Sequence, residues 1–119
     1  MTLQAYISER LELPFVWGSH DCILFAIGWL NLRSGKDWLA DLPTWSTAKE
    51  ATRAVASVGG LDTAFDARLK RINPNAAKDG DLALVGRTAF LFSGPHIVGP
   101  GHQGLVFIER TQACAAWSL

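Results

Sequence analysis

One stretch, residues 15–30, constrains the fold of this chain more than any other. It reads Phe-Val-Trp-Gly-Ser-His-Asp-Cys-Ile-Leu-Phe-Ala-Ile-Gly-Trp-Leu, an aromatic lead-in that ends in glycine and is followed by an apolar run. Ser19 or Asp21 can cap the start of a helix. The residues after Cys22 are apolar on almost every face, which is typical of a helix buried at the centre of a domain. The sequence therefore predicts a central helix over residues 21–33.

Three side chains that can take part in chemistry lie where this helix begins: His20, Asp21 and Cys22. The first turn of a helix carries unpaired N–H groups and the positive end of the helix dipole. A cysteine in that position tends to have a lowered pKa and to exist partly as the nucleophilic thiolate. The competing interpretation is a small buried residue, which is how a free cysteine usually behaves. For His20 we expect a surface or capping role.

A nucleophilic cysteine needs a base, and the two other histidines are the candidates. His96 and His102 both lie in a segment rich in glycine and proline, residues 93–104. Either could act as base if that segment folds back over the start of the helix, because catalytic groups are defined by geometry and not by sequence position. The alternative is that both are exposed polar groups of a loop, and His102 is the better placed of the two because it precedes a strand.

A metal site is not expected from these residues. Adjacent positions such as His20, Asp21 and Cys22 rarely converge on one ion, and the usual zinc-ligand spacings are absent. Nothing in the sequence indicates a cofactor.

The order of predicted elements indicates an α+β fold in one domain, residues 1–119. Helical patterns come first and strand patterns follow, which separates this class from alternating α/β proteins. Helices are predicted over residues 2–11, 21–33, 47–58 and 62–70, and strands over 82–85, 89–92, 105–108 and 113–119. Between the second and third of these strands, Ile97-Val98 is either a further strand in a tight hairpin or part of an exposed loop.

Charge excludes some classes of function. Eleven basic residues balance eleven acidic ones, and there is no basic run, so nucleic-acid binding is not expected.

Polar Asn31 and Arg33 interrupt the apolar helix too early for a membrane span. The first residues lack the basic and apolar pattern of a signal peptide, which predicts synthesis in the cytoplasm.

Composition points to a buried contact with another protein. Apolar residues make up 49% and charged residues 18% of the chain, against a typical charged fraction of about 25%. Such a domain covers its apolar surface poorly, and tryptophan is enriched in interface cores. Trp17, Trp38 and Trp45 are therefore candidates for a cleft or an interface, although part of the tryptophan content is expected to fill the core.

The motifs resemble the NlpC-type branch of papain-like cysteine peptidases, which hydrolyse bonds in cell-wall peptides. That pattern has an aromatic-glycine lead-in, Asp-Cys at the start of a helix, Gly-Asp-Leu before a strand, and a histidine opening the next strand. Here residues 15–22 match the first part and Gly80-Asp81-Leu82 the second. The resemblance implies Cys22 as nucleophile and Asp81 as a support of the sheet near the site. A turn role is sufficient to explain Asp81 without it.

The resemblance is closer to a group of small proteins encoded in phage and prophage tail-gene clusters. Their Trp-Gly-x-x-Asp-Cys, Gly-Gly-Leu, Gly-Asp and terminal Ala-Trp motifs match residues 17–22, 59–61, 80–81 and 116–117. This implies the NlpC-type fold, a place in the phage virion, and tail-tip or baseplate proteins as partners. Peptidoglycan is a further candidate partner.

One departure from the peptidase pattern concerns the base. The position of the catalytic histidine falls at or near Thr88, and a hydroxyl cannot act as the general base for a cysteine nucleophile. Two hypotheses follow. The first is a structural component of a phage-like tail tip on a peptidase-like fold that has lost its histidine. The second is an active peptidase or amidase that trims peptidoglycan peptides, with Cys22 as nucleophile and His102 or His96 as base.

Overall fold

The computed structural model describes residues 1–119 and contains four α-helices and six β-strands. The helices are α1 (Leu3–Arg10), α2 (Cys22–Ser34), α3 (Ala48–Ala56) and α4 (Leu61–Arg68). The strands are β1 (Lys70–Ile72), β2 (Leu82–Val85), β3 (Thr88–Ser93), β4 (His96–Gly101), β5 (Gly104–Glu109) and β6 (Ala115–Ser118). The predicted α+β class is confirmed, with helices first and an antiparallel sheet after them.

The six strands form one sheet in the order β1-β6-β2-β3-β4-β5, and every neighbouring pair is antiparallel. Ile97-Val98, for which the sequence allows either a strand or part of a loop, belongs to strand β4. Strands β4 and β5 form a hairpin that pairs along its length around a turn at His102-Gln103. Strand β1 was not predicted. It has only three residues, two of them charged, so it lacks the apolar alternation by which longer strands are recognised.

The central helix α2 lies across the middle of the sheet, against β3 and β4. Asp21 caps its start, and Gly35, in the left-handed conformation that glycine favours, ends it. Seven of its residues are buried, which agrees with the all-round apolar pattern. The largest cluster of the core joins this helix to the sheet face below it, including Leu91, Val98 and Trp117.

The other face of the sheet carries a smaller apolar cluster. Phe90, Phe92 and Ile97 form its centre, and the guanidinium of Arg110 lies over the Phe92 ring at 4.9 Å from the ring centroid. That guanidinium also donates hydrogen bonds to main-chain carbonyls of three separate residues, Gly94, Pro74 and Ala77. Arg110 therefore connects the segments around Pro74, Ala77 and Gly94 to this face of the sheet.

None of the four helices combines the length and the hydrophobicity that crossing a membrane requires.

Candidate functional site

The site begins at the junction between the lead-in and α2, where Asp21 is completely buried. One carboxylate oxygen accepts a hydrogen bond from the N–H of Leu24 at 2.9 Å. The other accepts from the N–H of Gly18 at 3.0 Å and from the indole Nε1 of Trp45 at 2.7 Å. A buried carboxylate is tolerated when donors surround it in this way. Asp21 therefore links the lead-in and the first turn of α2 to Trp45, which lies 24 residues further along the chain.

Gly18 allows the lead-in to approach Trp45 closely. It has φ +84°, and a Cβ atom there would lie 2.2 Å from the carbonyl oxygen of Trp45. Only glycine combines that conformation with so close a backbone approach. The glycine and the aspartate of the Trp-Gly-x-x-Asp-Cys motif thus both fix the same loop against the start of α2.

Cys22 is the first residue of α2, and 6% of its surface is exposed. Burial raises the pKa of its thiol above the ordinary value. The backbone of Ala89 in β3 partly offsets this shift, and the negative charge of Asp21 raises the pKa again. Position at a helix start predicts a lowered pKa, but burial outweighs that effect here because desolvation penalises the thiolate. No histidine contributes to the shift.

Cys22 lines a cleft of about 620 Å³. The walls are mostly apolar and come from the starts of α2 and α4, from α3, and from the turn between β2 and β3. The cleft includes Trp17, Ile23, Ala51, Val55, Gly59, Gly60, Leu61, Asp62, Leu84 and Arg87. None of its lining residues is a histidine, so no imidazole faces the thiol across this space.

His20 lies in a different hollow, which is lined by Tyr6, Arg10 and other residues of α1 and α2. Its ring stands edge-on to Phe25, with ring centroids 6.0 Å apart, and its Nε2 is buried without a hydrogen-bond partner. Burial lowers the pKa of His20, and the positive charge of Arg10 lowers it further. The structure therefore separates His20 from the cleft that contains Cys22.

The two remaining histidines lie at opposite ends of the β4 strand. His96 begins β4, is exposed, and packs edge-to-face against Phe107 with ring centroids 6.2 Å apart. Its register partner in β3 is Ser93, at the far end of that strand from Thr88. His102 is exposed in the β4–β5 turn. Continuing the β3–β4 register brings this turn to the Thr88 end of the sheet, but His102 is not part of the cleft wall.

Thr88 begins β3, directly before Ala89, whose backbone acts on the Cys22 thiol. Side chains alternate between the two faces of a strand, so Thr88 lies on the face of Phe90, away from α2, and Ala89 is the residue of β3 that faces Cys22. Asp81 is a turn residue, since its carboxylate accepts from the N–H of Lys78 at 2.8 Å. Gly80 beside it has φ +89°, and a Cβ there would lie 2.6 Å from Nε1 of Trp29. The Gly-Asp motif therefore fits a turn against α2.

The three tryptophans proposed for a cleft or an interface have different surroundings. Trp17 is half-buried and lines the cleft. Trp38 is half-buried and donates from Nε1 to the hydroxyl of Ser34 at 3.0 Å. Trp45 is buried, with its indole bonded to Asp21, so its side chain belongs to the core of the free protein.

Sequence reasoning did not identify Arg87 as part of the site. It follows Gly86 in the β2–β3 turn, lines the cleft, and forms no ion pair. An exposed arginine in a short turn has no sequence signal that separates it from an ordinary surface residue. No group of three or more His, Cys, Asp or Glu side chains is placed to hold a metal ion.

The fold and the site define a small α+β domain with a buried cysteine at the head of its central helix. The chain belongs to the family described as "Domain of unknown function (DUF6950)", whose model matches residues 1–119. No curated protein matches the chain. No solved structure matches it either.

Proposed function

We propose that this protein is a structural component of a phage or prophage tail tip or baseplate, built on an NlpC-type fold without peptidase chemistry. The environment of Cys22 is the observation that supports the absence of peptidase activity. Its thiol is buried, its pKa is raised, and no histidine lines the cleft beside it. A thiol in that state is a poor nucleophile at neutral pH, because only the thiolate attacks.

The placement of Cys22 against β3 supports the peptidase-like part of the proposal. In the resembling enzymes, Gly-Asp-Leu precedes one strand and the catalytic histidine lies at the start of the next. Here β3 begins with Thr88, whose side chain lies on the other face of the sheet, and the residue that adjoins the thiol is Ala89, which cannot act as a base. The arrangement fits a cysteine–histidine pair from which the histidine has been replaced, while Asp21 and Gly18 keep the helix start in place.

The assignment to a tail assembly depends on the resemblance of the motifs, and co-assembly tests it. We expect the protein to co-purify with the tail-tip proteins of its own phage or prophage when they are expressed together. Antibody labelling of intact particles should mark the tip of the tail. A protein that stays monomeric beside those partners, and is absent from purified particles, would overturn the assignment.

One observation favours the second candidate, an active peptidase or amidase. The turn that carries His102 lies at the same end of the sheet as Ala89, the residue of β3 that adjoins Cys22, so a shift of that turn would bring an imidazole towards the thiol. In that case Cys22→Ala and His102→Ala should each abolish hydrolysis of peptidoglycan peptides. Release of peptide fragments from purified peptidoglycan, followed by mass spectrometry, separates this candidate from the structural one.

A further inference from the structure

The outer edge of the sheet is open along the second half of β5. Leu105 donates its N–H away from β4, to the carbonyl of Leu11 at 2.9 Å. Because main-chain groups alternate in direction along an antiparallel strand, those of Phe107 and Glu109 also face outward. No turn, loop or cap bond uses them. An unpaired row of this kind is a template for a further strand.

The two edges of the sheet differ in how well they are protected. The opposite edge, β1, has three residues and carries exposed Lys70 and Arg71. Proteins commonly protect an edge with short strands and charges of this type. Strand β5 has six residues, no proline, no lysine or arginine, and a single charge at its end. Its Val106 and Phe107 are 43% and 44% exposed, on opposite faces of the strand.

Exposed apolar side chains are concentrated at this edge. The segment 11–16 runs beside the β4–β5 turn, through the bond to Leu11 and a second bond from the N–H of Phe15 to the carbonyl of Gly101. Five of the eight large apolar residues that are exposed belong to this segment or to β5: Leu11, Leu13, Val16, Val106 and Phe107. A concentration of this kind marks an interaction surface more often than chance exposure does.

The charges around the edge are acidic. Glu109 ends β5, and Glu12 lies at its beginning, where its Cα is 3.5 Å from a Cβ built on Gly104. Neither carboxylate forms an ion pair. The two arginines next to this region are engaged elsewhere, Arg10 over the Tyr6 ring and Arg110 on main-chain carbonyls.

We infer that the β5 edge, defined as Gly104–Glu109 with Leu11 and Leu13, binds an extended segment of another protein as a seventh strand. The segment has alternating apolar side chains and a lysine or arginine near each end. Main-chain bonds to Phe107 and Glu109 supply affinity, and the alternate side chains supply specificity. The basic ends pair with Glu12 and Glu109.

A second copy of this chain fits the edge less well. Two-fold antiparallel pairing centred on Phe107 would bring Glu109 of each copy towards Glu12 of the other, and like charges at such a contact are unfavourable. The β5 edge also shares no residue with the cleft that contains Cys22. Binding at the β5 edge is therefore independent of the proposed tail function.

The test uses the full chain and two synthetic peptides of about seven residues, with alternating valine and threonine between two lysines or between two glutamates. Amide exchange is followed by NMR. The lysine peptide should slow exchange at the N–H groups of Phe107 and Glu109 about tenfold when it is present at about ten times its Kd. The glutamate peptide should bind about tenfold more weakly, because ion pairs are replaced by like-charge contacts.

Phe107→Lys and Leu32→Lys form a matched pair of variants, since both residues are exposed and apolar but Leu32 lies on α2. Phe107→Lys should weaken the lysine peptide about tenfold or more, and Leu32→Lys should not. Val106→Lys repeats the test from the other face of the strand. Three outcomes would overturn the inference: no slowed exchange at about 1 mM lysine peptide, equal binding of both peptides, or protection of the edge that grows with protein concentration alone.

Discussion

Replacing Asp21 by alanine is expected to destabilise the protein by about 4 kcal/mol. The change removes the acceptor for three hydrogen-bond donors, the N–H groups of Gly18 and Leu24 and the indole of Trp45. A buried donor left without a partner costs about 1–3 kcal/mol, and the loss of an N-cap about 1 kcal/mol. Urea denaturation followed by tryptophan fluorescence measures the free energy of unfolding directly.

Thr47→Ala is the matched control for this prediction. Thr47 caps α3 by accepting a hydrogen bond from the N–H of Glu50, but it is exposed and has no donor from a distant part of the chain. Its loss should cost about 1 kcal/mol. Similar costs for the two variants would show that Asp21 acts as an ordinary helix cap, and that its bonds to the lead-in and to Trp45 contribute little.

The second large effect is expected at Gly18. Gly18→Ala should destabilise the protein by about 3–5 kcal/mol, because the new methyl group meets the carbonyl oxygen of Trp45 and the backbone has a left-handed conformation. The backbone must then move, and with it the hydrogen bond from Gly18 to Asp21. Thermal and urea unfolding should both report the loss.

Gly35→Ala separates the two causes of that effect. Gly35 has φ +72°, close to that of Gly18, but no atom lies within 4 Å of a Cβ built there. This variant carries the conformational cost alone, about 1 kcal/mol. If Gly18→Ala costs no more than Gly35→Ala, the close approach of the lead-in to Trp45 does not constrain the fold.

The sequence predicted elements better than it predicted contacts. The apolar pattern of α2 and the turn residues around β2 were sufficient to predict the positions of both elements. Burial on all faces and glycine-rich turns can be recognised from neighbouring residues alone. Strand β1 has no such local pattern, because its three residues form a strand only through pairing with β6 at the other end of the chain. Long-range pairing of so short a segment is decided by tertiary structure and not by local preference.

The candidate site was predicted in its parts and not in its arrangement. Cys22 and Asp21 lie at the helix start as expected, but the partner of Asp21 is Trp45, an indole from a loop that composition suggested for an interface. Such a contact cannot be inferred from spacing, because residues 21 and 45 lie in different elements. The cleft that contains the thiol is likewise built from α3, α4 and the β2–β3 turn, and among these parts only residues 59–61, at the start of α4, belong to a motif named from the sequence.

The motif that resembles the peptidase pattern has a structural explanation that does not involve catalysis. Gly18 allows the backbone to approach Trp45 closely, and Asp21 accepts a hydrogen bond from the Trp45 indole. Gly80 leaves room for the side chain of Trp29. These contacts stabilise a helix start against a sheet whether or not a nucleophile is present. The motif is thus compatible with the absence of a catalytic base that the proposed function includes.

The pH dependence of Cys22 alkylation tests this account most directly. Cys114 is exposed and unpaired, so the measurement uses the Cys114→Ser variant, in which Cys22 is the sole thiol, with Cys114 in the Cys22→Ser variant as the exposed reference. We expect the rate of iodoacetamide labelling at Cys22 to rise only above the ordinary thiol pKa of about 8.5, and to stay below that of the reference at neutral pH. A labelling pKa below that of Cys114, with fast reaction at pH 7, would contradict the account and establish Cys22 as an activated nucleophile.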